Sequence, residues 1–194
     1  MRTVDYASFN RPCIGERVSG DVAFLAERDG VVFAALVDVL GHGPHAHELA
    51  RRIEHFLEAS WSPDIVTTLN GLHADIKGTR GAVAGLGCLD IETGELRYAG
   101  VGNTTIRRFD PHAERLYSVE GIIGAHMRDP VEQNLKMAES NVVVLHSDGI
   151  RENFEPEEYP QLLYQSARSA ARNIVHRFGK TYDDAACIVL RYKR

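Results

Sequence analysis

Apolar residues in this chain follow two rhythms, and the rhythm changes several times along its length. Asp21–Arg28 and Val31–Val39 are strand-like runs separated by Asp29-Gly30, a dipeptide suited to the tight turn of a β-hairpin. The second run, Val-Val-Phe-Ala-Ala-Leu-Val, is almost continuously apolar. It predicts a central strand, buried on both faces, that delivers Asp38 at its C-terminal end. From Pro44 to about Ser60 the spacing shifts. Leu49, Ile53, Phe56 and Leu57 recur at three and four residues, which predicts a helix with Pro44 in its first turn. A second helix is expected over 63–77, with Ile65, Leu69, Leu72 and Ile76 inward, Ser62 as N-cap and Pro63 at the first position.

Period-two patterning then returns. Ala82–Asp90 and Glu95–Val101 flank the turn Glu92-Thr93-Gly94, residues 104–109 and 115–119 form the next pair, and 141–146 is a buried strand running into Asp148. Residues 157–178 predict a helix with Leu162, Leu163, Ala167, Ala170, Ile174 and Phe178 on one side and Gly179 as its stop, and 185–192 predicts a final strand. Residues 121–133 have little periodicity and predict a flexible loop over a cleft. Hairpins, two helices, more hairpins, then a helix and a strand make an α+β chain. The alternation needed for a doubly wound parallel sheet is missing.

Composition narrows the class. With 44% hydrophobic and 25% charged residues the chain has enough apolar material for one domain over 1–194, and no repeat or linker suggests a fused sensor module. The net charge of -5, without any Lys/Arg block, gives no basis for capture of nucleic acid or an anionic membrane. The longest apolar run, Val31 to Leu40, contains Asp38 and falls well short of the roughly 20 residues of a membrane-spanning helix. The first ten residues lack an apolar leader core. Cys13, Cys88 and Cys187 are odd in number and form no CxxC pair, so they read as reduced, buried thiols of a cytoplasmic protein.

The candidate chemistry lies in aspartates at strand ends. Asp21 sits in Ser19-Gly20-Asp21, Asp38 opens Asp38-Val39-Leu40-Gly41-His42-Gly43, Asp148 sits in Ser147-Asp148-Gly149, and Asp183 is paired with Asp184. Taken singly, each is as easily a turn residue or a cap. As a set they say more, because two of them directly follow nearly all-apolar strands, where a carboxylate is costly unless paired or holding a cation. Hard oxygen ligands of this kind suit Mg²⁺ or Mn²⁺.

In chain order, these four motifs, with Gly100-Val101-Gly102-Asn103 and the closing Ala185, resemble the PPM family of metal-dependent protein serine/threonine phosphatases (type 2C), most closely its SpoIIE-like bacterial branch. The resemblance covers essentially the whole chain. It implies a four-layer αββα sandwich of two antiparallel β-sheets flanked by helices, with two divalent ions, Mn²⁺ or Mg²⁺, in a cleft at one end. It implies that Asp38 bridges both ions and that the Val39 backbone carbonyl binds the first. Asp148 and Asp183 would bind the second, and Asp21 would hold ion-bound water at the first. Asp184 is the alternative to Asp183 if the register shifts by one residue. Asp38 and Asp148 would act in catalysis through metal-activated water that hydrolyses phosphoserine or phosphothreonine.

The compact length is similar to stand-alone stressosome phosphatases of that branch, which implies phosphorylated stressosome components of the anti-sigma-antagonist type as partners. Val39 stands where the family usually has Gly, and Ala186 where Thr or Ser is common. His42, His45 and His47 lack His-Glu-x-x-His spacing, so a structural role is expected, with His42 the one candidate to donate a proton or orient a water. Two other readings stay open: a non-catalytic phosphatase-fold binding module, and a phosphoesterase acting on small molecules.

Overall fold

The structure, a computed structural model, describes residues 2–109, 114–155 and 158–193. Strand β1 (Thr3–Arg11) opens the chain, followed by the hairpin of β2 (Asp21–Arg28) and β3 (Val31–Val39). Its turn holds Asp29 at φ 53° and Gly30 at φ 75°, as a two-residue Asp-Gly turn requires. Helices α1 (Pro44–Ser60) and α2 (Ile65–Asp75) come next. Strands β4 (Ala82–Asp90), β5 (Glu95–Val101), β6 (Thr105–Phe109), β7 (Glu114–Leu116), β8 (Gln133–Lys136) and β9 (Val142–His146) follow, then α3 (Ala167–Phe178) and β10 (Ala185–Lys193). One sheet runs β2-β3-β4-β5-β8 and the other β1-β10-β9-β6-β7, with every ladder antiparallel.

Side-chain alternation builds the layers. Along β3, Val32, Ala34 and Leu36 face a core that also holds Ile188 and Leu190 of β10, so these residues fill the space between the sheets. Phe33, Ala35, Val37 and Val39 face the other way, against Ile53 and Leu57 of α1 and Leu69 and Leu72 of α2. On β10 the opposite parity, Cys187 and Val189, packs against Ala170, Ala171 and Ile174 of α3. The result is the four-layer αββα sandwich, and both central strands are apolar on both faces because both faces are covered. Among the described residues no helix is long and apolar enough to cross a membrane. All three cysteines are free and buried.

Four local expectations need correction. The second helix is capped by Asp64, whose carboxylate accepts from Thr67 N at 2.9 Å and Thr67 Oγ1 at 2.8 Å, so it begins at Ile65 rather than at Pro63. A carboxylate holding two donors outcompetes the Ser62 hydroxyl, which instead accepts from Asp64 N. The helix expected over 157–178 divides into a 3₁₀ turn at Pro160–Leu163 and α3, which Ser166 caps from Ser169 N. Its expected start at Glu157 and the side chain of Leu163 lie outside the described residues.

Residues 121–133 are not a loose loop. Ile123 is fully buried and exchanges backbone hydrogen bonds with Ala82 at 2.8 and 3.1 Å, and Gly124 N donates to His73 Nδ1 of α2 at 3.1 Å. Strands β1 and β8, finally, have no counterpart in the sequence-based expectation.

Candidate active site

The two sheets bring their acidic strand ends to one place. Asp21 begins β2 and Asp38 nearly ends β3, and antiparallel pairing makes them direct cross-strand neighbours. Asp148 follows β9 of the other sheet, and Asp183 lies just before β10, which pairs with β9. Asp38, Asp148 and Asp183 line one cleft of about 400 Å³ together with Asn103, Ser118 and Glu120. Among the described residues, no arginine, lysine or histidine belongs to that lining.

Each carboxylate has a distinct setting. Asn103, in the turn after β5, donates from Nδ2 to Asp148 Oδ2 at 2.7 Å. Asp21 is buried beneath the cleft wall and faces a neighbouring groove lined by Asn10, Ser19 and His47. Its Oδ2 accepts from Ser147 Oγ at 2.7 Å, its backbone N–H donates to Ser19 Oγ at 3.0 Å, and its carbonyl accepts from Asn10 Nδ2 at 2.7 Å.

Asp184 differs from its neighbour Asp183. It is buried, and its two oxygens accept from the backbone N–H groups of Cys13 and Gly20, each at 2.7 Å. Asp183 is half-buried, faces the cleft, and accepts from Asp184 N at 3.0 Å.

Charge repulsion is written into the carboxyls. Burial, then the charges of Asp21, Asp148 and Asp183, push Asp38 up to about 9. Burial pushes Asp21 up to about 8; the Ser147 hydrogen bond opposes this, while Asp184, Asp183 and Asp148 add to it. Asp183 is also raised, by burial first and then by Asp148. Anionic oxygens that repel one another in a cleft lined by no cation form a donor set for hard divalent ions. Among the described residues no three acidic, His or Cys side chains are gathered closely enough to hold an ion unaided. That spacing fits small hard ions, which keep several waters and take only one or two carboxylates each.

Val39 continues β3 in extended backbone and is buried, so its β-branched side chain takes the position without left-handed strain. At Ala186 the backbone N–H donates to Ser147 Oγ at 3.1 Å. His42 stands apart: it is exposed, lies 3.2 Å from Glu16 Oε1, and does not line the cleft. His47 Nδ1 is tied to Ser19 O at 2.9 Å. Burial pushes Cys88 up to about 12 and Cys187 upward as well, so these two thiols stay protonated, and no cysteine lines the cleft. Sequence reasoning gave no role to Asn103 beyond a turn and none to Ser147. Ser147 bonds a residue 126 positions away, which no local pattern reports.

The family model described as Stage II sporulation protein E (SpoIIE) matches residues 28–193. No curated protein matches the chain. Among solved structures, one from work on the bacterial stressosome as a modular system adapted to control secondary messenger signaling is 30% identical, covering 97% of this chain and 100% of that one, with a TM-score of 0.89. RsbX in complex with magnesium is 19% identical, covering 98% and 96%, with a TM-score of 0.83. The catalytic domain of the serine/threonine protein phosphatase PstP, in complex with two manganese ions, is 14% identical over the full length of both chains, with a TM-score of 0.75.

Proposed function

The chain belongs to the SpoIIE family of PP2C-type serine/threonine phosphatases, and from that premise we propose that its acidic cleft works with two divalent ions on phosphoserine or phosphothreonine of a regulatory partner protein. The cleft's charge supports this reading most. A phosphomonoester is an anion, and the lining offers it four carboxylates, those of Asp38, Glu120, Asp148 and Asp183, and, among the described residues, no cationic side chain. Such a substrate enters only if bound cations reverse the local charge.

Asp38, Asp148 and Asp183, with the Val39 carbonyl, would hold the ions, and Asp21 would hold water on the first of them. A bound pair of Mn²⁺ or Mg²⁺ ions would lower the pKa of water enough to supply hydroxide near neutral pH and would clamp the charge on the phosphoryl oxygens. The chain's own residues do the positioning. Asn103 fixes the plane of the Asp148 carboxylate through its 2.7 Å hydrogen bond, and cross-strand pairing fixes Asp21 against Asp38. In this reading the departing seryl oxygen takes its proton from solvent: His42, the one histidine considered for that role, lies 3.2 Å from Glu16 Oε1 and is not among the residues that line the cleft. With no cysteine in the lining, a covalent phosphothiol route is not part of this reading.

Likeness supports the finer substrate class. A 30%-identical chain from work on the bacterial stressosome, with the RsbX-like fold beside it, supports reading phosphorylated stressosome components of the anti-sigma-antagonist type as the substrates. The test is a Mn²⁺ titration with such phosphoproteins, with Asp38→Asn as control. Metal-dependent release of phosphate that the asparagine variant abolishes is expected. No release with Mn²⁺ present, or near-normal turnover by Asp38→Asn, sinks the proposal. Faster hydrolysis of free sugar phosphates than of a phosphopeptide would favour the small-molecule reading.

A further inference from the structure

Ser147 joins the two sheets at the acidic end of the sandwich. It follows β9, yet its hydroxyl donates to Asp21 Oδ2, at the start of β2 in the other sheet, at 2.7 Å. The same oxygen accepts from Ala186 N of β10 at 3.1 Å, and Ser147 N donates back to Ala186 O at 3.1 Å. Ser147 has no exposed surface and Asp21 is 5% exposed. A hydroxyl has one hydrogen to give. With the Ala186 amide donating to the oxygen, that hydrogen is directed to Asp21. The bond engages one oxygen of the carboxylate and leaves the other for a cation or its water.

The backbone around Asp21 is held separately. Asp184 Oδ2 accepts from Gly20 N at 2.7 Å, Ser19 Oγ from Asp21 N at 3.0 Å, and Asn10 Nδ2 donates to Asp21 O at 2.7 Å. Ser147 is the group that sets the carboxylate, while these others set the chain.

We propose that Ser147 is a positioning residue that orients the Asp21 carboxylate across the sheet interface and thereby sets the affinity of the ion next to Asp21. The proposal rests on the metal reading above. Hydrogen-bonding partners behind ligating groups change metal affinity by about 10- to 100-fold when removed. Ser147→Ala is therefore expected to weaken Mn²⁺ binding by about that factor, while substrate KM at saturating Mn²⁺ stays unchanged.

The experiment measures Mn²⁺ binding to the full chain by electron paramagnetic resonance, in the absence of substrate. It compares the unaltered protein, Ser147→Ala, Asp21→Asn and the double variant. If Ser147 acts through Asp21, the serine substitution adds no further weakening once Asp21 is asparagine. Ser147→Cys, close in size but a far weaker donor, is expected to show the same loss and carries the test if alanine proves too unstable to assay. Unchanged Mn²⁺ affinity in Ser147→Ala or Ser147→Cys, or an equal loss in the Asp21→Asn background, overturns the inference alone. Failure of the unaltered chain to bind Mn²⁺ overturns the metal reading, and this inference with it.

Discussion

Asp183 and Asp184 are adjacent, chemically identical, and in opposite circumstances. Asp184 satisfies two backbone donors, those of Cys13 and Gly20, in a buried site. Leaving a buried donor unpaired costs about 1–3 kcal/mol, so Asp184→Ala, which strands two, should destabilise the protein by about 2–6 kcal/mol in urea denaturation with EDTA present. Asp183 accepts one local hydrogen bond, from Asp184 N at 3.0 Å, and adds repulsion to the cleft when no cation is bound. Asp183→Ala should therefore leave stability in EDTA unchanged or slightly higher, while removing most of the gain that Mn²⁺ gives the unaltered chain. Equal losses in EDTA for the two variants would show that the division of labour is wrong. The sequence brackets this pair without ordering it, because two consecutive carboxylates before a strand differ only in which way each side chain turns. Partners from residues 13 and 20 decide that, and they are distant in the chain.

At the scale of elements, the two loops that carry Asp148 and Asp183 touch at Gly149. A Cβ added there would run into the Asp184 carbonyl oxygen, a backbone atom that cannot swing aside. Gly149→Ala must push the end of β9 away from the start of β10, and with it Asp148 from Asp183. Thermal denaturation should show a loss of about 1–3 kcal/mol, and Mn²⁺ binding should weaken more than it does for a substitution of equal stability cost in α3. Equal Mn²⁺ affinity for Gly149→Ala and the unaltered chain would contradict this.

The strands that carry the acids were legible because they are central. β3 and β9 are covered on both faces, so their apolar runs are nearly continuous; the first runs into Asp38, and the second ends at His146, two residues before Asp148. β1 was not legible. It is an edge strand with an alternating, half-buried pattern, Thr-Val-Asp-Tyr-Ala-Ser-Phe-Asn-Arg, and its partner, β10, lies at the other end of the sequence. Residues 121–133 lack periodicity for a related reason. They are held by an isolated bridge to Ala82 of β4 and by a few hydrogen bonds to α2 and the turn after it, and Gly124, at φ 84° with Ile76 O 2.6 Å from where its Cβ would lie, reports a close approach rather than freedom.

At the scale of the whole molecule, the acidic end sets how stability responds to pH. Asp21 and Asp38 release protons near pH 3.8 in the unfolded chain and only at about 8 and 9 when folded without ions. Over that window the folded state binds more protons than the unfolded state, so these two groups make stability fall as pH rises. His146 works in the other direction. Burial first, then the nearby Arg107 and Arg115, lower it from 6.5 to about 4, so the unfolded chain binds the extra proton and stability rises between those values. The two effects oppose below pH 6.5, and the aspartates act without that opposition above it. In EDTA, Tm should therefore decline from about pH 6.5 to pH 8, and Asp38→Asn should flatten the decline. Mn²⁺ competes with the same protons for the same oxygens, so its stabilisation should grow over this range. At a free concentration of about 100 times Kd it should reach about 2.7 kcal/mol for each ion bound. Differential scanning calorimetry with and without Mn²⁺ across these pH values checks both signs at once. A Tm in EDTA that climbs steadily to pH 8 would mean that the carboxyls do not hold their protons in the folded state, and the charge argument for bound cations would lose its support.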